Sequence, residues 1–195
     1  MKLKVLELKP TQFAVGMREV EKRAAKLRGH SGSTRHDYLQ GHPVPVVVAA
    51  GARYYMVDRH HLARACWELG IEEVHAEIRA DLSKHAPADF WDVMGKSHWS
   101  RLYDQFGKGP HDPLLLPENV RGLADDRYRS LAWEVRRQGG FAKSEELFAE
   151  FKWAEYFRPK VAVGPGDSGF EAALKEAMAL CHRPECRRLP GFIPL

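Results

Sequence analysis

The order of apolar and polar positions divides the chain into two parts. Residues 5–8 alternate apolar and polar before Pro10, which predicts a short strand. A polar loop with a glycine follows over 10–16. Residues 18–27 read as a helix, with Val20, Ala24 and Leu27 on one face and Arg18, Lys22, Arg23 and Lys26 on the solvated one. Residues 29–41 are polar and glycine-rich and read as a loop. That loop carries His30, Arg35 and His36, so it can act as a basic lid beside an anion site. The uninterrupted apolar run 44–49 reads as a buried strand. Residues 50–52 make a turn, and 53–57 a second strand, so the pair forms a hairpin. Asp58 and Arg59 then lead into a helix over 60–69, which Gly70 ends. Residues 73–78 alternate again and supply another strand.

From residue 83 onward, glycine, proline and tryptophan punctuate helical stretches at 87–98, 117–123, 127–138, 144–157 and 170–181. The apolar tail 189–195 is expected to dock on the body. Trp91, Trp99, Trp133 and Trp153 recur at helical spacings with Phe90, Phe148, Phe151 and Phe157. Aromatic residues in such positions fill cores. The fold class is therefore α+β. A small mixed-sheet domain over 1–82 is followed by a helical region over 83–195 that packs on it and walls one side of its cleft.

Composition narrows the function classes. Of 195 residues, 44% are hydrophobic and 29% charged, so neither disorder nor a disulfide scaffold is needed. The net charge of +4 permits an anionic ligand without demanding nucleic acid. Ten histidines can carry proton transfer or ligand contacts near neutrality. Cys66 lies in an apolar helical stretch. Cys181 and Cys186, in Cys-His-Arg-Pro-Glu-Cys, have a weak zinc-like spacing without a second half. The first ten residues lack a signal-peptide core, and no segment reaches the ~18 apolar residues of a membrane span. A cytoplasmic location without membrane association is the expectation.

The chemistry concentrates at Val57-Asp58-Arg59-His60-His61-Leu62-Ala63-Arg64-Ala65. A strand runs through a tight turn straight into a helix. The first amides of a helix lack internal partners and carry partial positive charge, so they favour phosphate or carboxylate. His60 and His61 add ring nitrogens there. Arg64, one turn on, adds a fixed charge, and Asp58 can cap the helix, orient a histidine or hold a metal. Adjacent histidines cannot share one helix face, so at least one can be structural.

The segment from Tyr54 to Ala65 resembles the central motif of the ParB/sulfiredoxin superfamily. The wider pattern is similar to the ParB-like nuclease branch. It comprises Leu8-Lys9-Pro10-Thr11-Gln12-Phe13-Ala14-Val15-Gly16, His42-Pro43-Val44-Pro45-Val46-Val47-Val48 and, downstream, Phe90-Trp91, Leu102-Tyr103-Asp104, Asp125 to Leu131, Gly139 to Lys143 and Phe151 to Ala154. Resemblance to the branch covers most of the chain, whereas resemblance to ParB proper ends near Leu82. The superfamily includes CTP-using partitioning proteins, ATP-using sulfiredoxins and kinases of free serine, which implies a phosphate-bearing ligand at the turn. His61 matches a phosphate-contacting histidine. His60 stands where sulfiredoxin has its reactive cysteine, which speaks against sulfiredoxin chemistry. Arg59 stands where relatives often have glycine. A helix-turn-helix and the dimerisation region of a partitioning protein are missing.

Two readings follow. In the first, an enzyme acts on a phosphate ester or anhydride, as nuclease, nucleotide hydrolase or small-molecule phosphotransferase. His60 serves as general acid/base or nucleophile, and His61, Arg59, Arg64 and the helix amides hold phosphate. Asp58 orients a histidine or a magnesium ion that accompanies a nucleotide. In the second, the chain is a non-catalytic nucleotide- or DNA-binding module. A metal-dependent hydrolase using several histidines ranks last, since no tight ligand spacing is present. Gln12 and Gly16 sit in the loop facing the ligand, and His42 precedes a buried strand that can line the same cleft. Lys108-Gly109-Pro110-His111-Asp112 is a polar loop that can meet the site. Asp125-Asp126 can bind a divalent ion or cap a helix. Substrate and oligomeric state stay open.

Overall fold

The fold is taken from a computed structural model that describes residues 1–194. It is α+β, and the chain divides into two compact units, Met1–Asp125 and a helical one from Asp126 onward. The first unit thus runs beyond the change of sequence character near residue 82. The reason is that segment 87–123 packs into the cores on the sheet and is bonded by Arg64 at the Val120 carbonyl, rather than forming a core of its own.

The first unit is built on a five-stranded mixed sheet. Strands β1 (Lys2–Lys4), β2 (Leu8–Pro10), β4 (Val44–Ala49), β5 (Arg53–Met56) and β6 (Glu73–Asp81) lie in the order β1-β6-β4-β5-β2. The predicted hairpin is present, with β4 antiparallel to β5, while β6–β4 and β5–β2 pair in parallel. The single expected strand at 5–8 is instead a 3-10 turn, Val5–Glu7, that separates β1 from β2. A two-stranded parallel ribbon joins β3 (Ala14–Val15) to β7 (Ala124–Asp125).

One face of the sheet buries Leu8, Val44, Val46 and Met56 under helices α1 (Met17–Gly29) and α3 (His60–Glu68). The other buries Val47 and Ala49 under Phe90 and Met94 of α4 (Pro87–Lys96). Period-two alternation sends neighbouring residues to opposite faces, so one strand serves both cores. Residues 29–41, expected as a loop, contain helix α2 (Gly32–Gln40), which Ser31 caps by accepting the Thr34 amide. An expected helix at 117–123 is reduced to a 3-10 turn, Val120–Gly122, following another at Pro113–Leu115, because two prolines punctuate the segment.

The second unit contains α5 (Arg127–Arg137), α6 (Ala149–Phe157) and α7 (Gly166–Leu180). Its centre is Trp153, fully buried and stacked on Phe141 at 4.4 Å. The Trp153 indole N–H donates to the Pro190 carbonyl at 2.8 Å, which docks the apolar tail within this unit. Trp91, Trp99 and Trp133 are only partly buried, so of the four tryptophans expected in cores Trp153 alone is enclosed.

Candidate functional site

Strand β5 delivers the chain to Asp58, and α3 starts two residues later. The turn closes through Arg59, which adopts the left-handed conformation (φ 62°, ψ 25°). A glycine adopts this backbone freely, while a residue with a Cβ is strained there. The Asp58 carboxylate accepts the Arg59 amide at 2.6 Å. Asp58 therefore braces the turn, and no side chain caps α3. Asp58 is exposed and Arg59 half-buried.

Both histidines point back to the loop after β2. The buried Thr11 amide donates to His60 Nε2 at 3.1 Å, and the Gly16 amide donates to His61 Nε2 at 3.1 Å. The pair thus pins the two ends of segment 11–16 to the helix start. Thr11 is also held by its hydroxyl, which donates to the Met56 carbonyl at 2.8 Å. His60 is 2% exposed, and burial pushes its ring down to about 3, so it is neutral around pH 7. With Nε2 occupied as an acceptor and the ring enclosed, His60 is poorly placed for the general acid/base or nucleophilic role expected of it. His61 Nε2 also lies 3.6 Å from the buried carboxylate of Glu19, and Arg23 holds that carboxylate at 2.7 Å.

The remaining candidates separate. Gly16 is brought to the motif through His61. Gln12 stays beside Thr11, 8% exposed, with its carbonyl oxygen unpartnered among the described residues. Arg64 turns away from the helix start. Its guanidinium donates to the carbonyls of Val120, Arg121 and Leu123 at 3.0–3.3 Å and to Glu68 at 2.9 Å, so it anchors the 120–123 turn. His42 is occupied by Tyr38, bonding its carbonyl at 2.7 Å and stacking on its ring at 4.1 Å. Asp126 caps α5 and pairs with Arg158, and Asp125 accepts the Met17 amide at the start of α1. Among the described residues no three His, Cys, Asp or Glu side chains are grouped as a metal would require. Cys181 and Cys186 are buried thiols that donate to the carbonyls of Met178 and Leu180.

The polar loop 108–112 packs against segment 11–16. The His111 ring stands edge-on to Phe13 at 5.4 Å, and its Nε2 lies 3.2 Å from Asp104. Burial would raise the Asp104 carboxyl, but the amides of Lys108 and Phe106 and the His111 ring hold it below its usual range. Gly109 closes this loop at φ 154°, where an added Cβ would lie 2.5 Å from the Leu102 carbonyl oxygen. Sequence reasoning missed Thr11 and Glu19. Glu19 had one visible signal, an acidic residue beside Val20 on the apolar side of a helix.

The family model described as "Putative ParB-like nuclease" matches residues 1–159. Among solved structures, protein Atu1540 from Agrobacterium tumefaciens is similar with a TM-score of 0.89 and 35% identity. The match covers 100% of this chain and 96% of that one. No curated protein matches. Among the described residues no helix is long and apolar enough to cross a membrane.

Proposed function

Because the chain belongs to the ParB-like nuclease family, we propose that it binds a phosphate-bearing ligand, a nucleotide or nucleic acid, at the start of α3. One observation carries this reading. The helix has no side-chain cap, and its entry residue is a left-handed arginine braced by Asp58. In this reading the uncapped first-turn amides and the charge of the neighbouring Arg59 together hold the phosphate. His60 and His61 act as positioning residues that hold segment 11–16 beside the helix start. Magnesium fits as a companion of the ligand. Such an ion is held by one or two carboxylates together with substrate phosphates, and Asp58 supplies an exposed carboxylate.

A second reading adds phosphate-ester hydrolysis. It is favoured by the His111–Asp104 pair against Phe13, since a carboxylate beside one ring nitrogen orients the imidazole and leaves the other nitrogen to take a proton from water. His111 replaces His60 as the base in this reading.

The test is a thermal-shift series with ATP, CTP, GTP and a short single-stranded DNA, each with and without magnesium. It uses the natural protein and Arg59→Glu. A ligand at about 100 times its Kd adds about 2.7 kcal/mol. The reading expects a shift with at least one of these in the natural protein and its loss in Arg59→Glu, with the unliganded Tm unchanged. No shift with any, or equal shifts in both proteins, would overturn it.

A further inference from the structure

The face of the sheet turned away from α3 carries a cleft of about 290 Å³. Tyr55 of β5 and Phe90 and Trp91 of α4 line it and meet one another with centroids 5.0–5.3 Å apart. The strap 113–118 supplies the facing apolar surface through Pro113, Leu114, Leu116 and Pro117. Leu114 is 83% exposed, an apolar group left open at the rim of an aromatic cleft.

Two cations flank the rings. Lys9 pairs with Tyr55 across the β2–β5 ladder, and Arg53 lies two residues before Tyr55 on the same face of β5. Glu118 of the strap bonds the Lys9 ammonium, and its carboxyl is held below the usual range by Lys9 first and then by Arg53. The Glu118 side chain is 83% exposed and the Lys9 side chain 20% exposed. An otherwise solvated carboxylate has thus been drawn onto a sheltered cation.

The strap is fixed rather than loose. Asp112 caps its first turn at 2.8 Å, and Arg64 holds the carbonyls that follow it. A Cβ on Gly122 would lie 2.6 Å from that of Pro117, so the chain is closely packed at the strap's end. A preformed concave site with an apolar body and a few convergent polar groups is the usual form of a small-molecule pocket.

We propose that this cleft is a second binding site, for a small aromatic carboxylate whose ring lies against Tyr55 and Trp91 and whose carboxylate displaces Glu118 from Lys9, with Arg53 adding its charge nearby. The rings and leucines accept a flat apolar body. Glu118 already shows that the Lys9 ammonium takes a carboxylate here. The volume limits the ligand to one or two fused rings. The site lies on the other face of the sheet from α3, and its occupation is independent of the phosphate reading.

Isothermal titration of the full chain with 2-naphthoate tests this, with naphthalene-2-methanol as the uncharged control. The expected result is binding that Glu118→Gln tightens at least fivefold and Arg53→Gln weakens at least fivefold. The alcohol should bind at least tenfold more weakly, and Arg59→Glu should leave 2-naphthoate affinity unchanged. The proposal is overturned by absence of binding to both the natural protein and Glu118→Gln, by an affinity that Arg53→Gln does not lower, or by weaker binding in Glu118→Gln.

Discussion

Replacing His60 with glutamine should remove a defined part of the protein's acid sensitivity while leaving the fold intact. In the natural protein the ring is 2% exposed and its Nε2 accepts the buried Thr11 amide. A proton on Nε2 would both charge an enclosed ring and break that bond. The ring accordingly sits at about 3 in the folded protein, against about 6.5 in an unfolded chain. The unfolded chain therefore takes up the proton first as pH falls. The stabilisation is complete above about pH 6.5 and is lost between that value and pH 3. At about 1.4 kcal/mol per unit, the full loss is roughly 5 kcal/mol at pH 3, of which about 2 kcal/mol is gone by pH 5. Glutamine places an amide oxygen within reach of the Thr11 amide and does not titrate. Denaturant unfolding at pH 7.5 and 5.0 should then show natural protein losing about 2 kcal/mol more than His60→Gln, or about 4–8 °C in Tm. An equal loss in both proteins would refute the reasoning, since it would mean that His60 is not buried neutral.

Two further consequences concern stability. Arg64→Met removes a charged donor from three backbone carbonyls of the 120–123 segment. It should cost about 2–4 kcal/mol, with faster amide exchange concentrated in residues 113–123, and exchange confined elsewhere would contradict the anchoring role. Trp153→Phe leaves the Pro190 carbonyl without its indole donor and weakens a buried stack. A loss of about 2–3 kcal/mol is expected, with increased proteolysis near residues 189–193, and an unchanged tail would contradict the docking.

The parts of the fold that were legible had strong periodic signals. The apolar run 44–49, the turn at Gly51 and the aromatic strand after it could be read directly as the hairpin that β4 and β5 form. Helix α2 was not legible, because it buries Leu39 alone and is otherwise made of turn-forming residues. Its signal was local, the Ser31 cap, which a glycine-rich context obscured. The strand-turn-helix at Asp58 to His61 was readable from the order of its residues. Its partners were not, since Thr11 and Gly16 act through backbone amides, which leave no trace in side-chain chemistry. The direction of Arg64 was also hidden, because the carbonyls it holds lie more than fifty residues away. The cleft at Tyr55 has the same character, drawing Lys9, Trp91 and Leu114 from distant segments.

Backbone amide NMR of the ¹⁵N-labelled chain during titration with a magnesium nucleotide tests the phosphate reading most directly. The largest shifts should fall on the amides of Arg59, His60, His61 and Leu62, with smaller ones in segment 11–16, and should vanish in Arg59→Glu. Saturable shifts centred elsewhere, with these amides unmoved, would contradict a phosphate site at the start of α3.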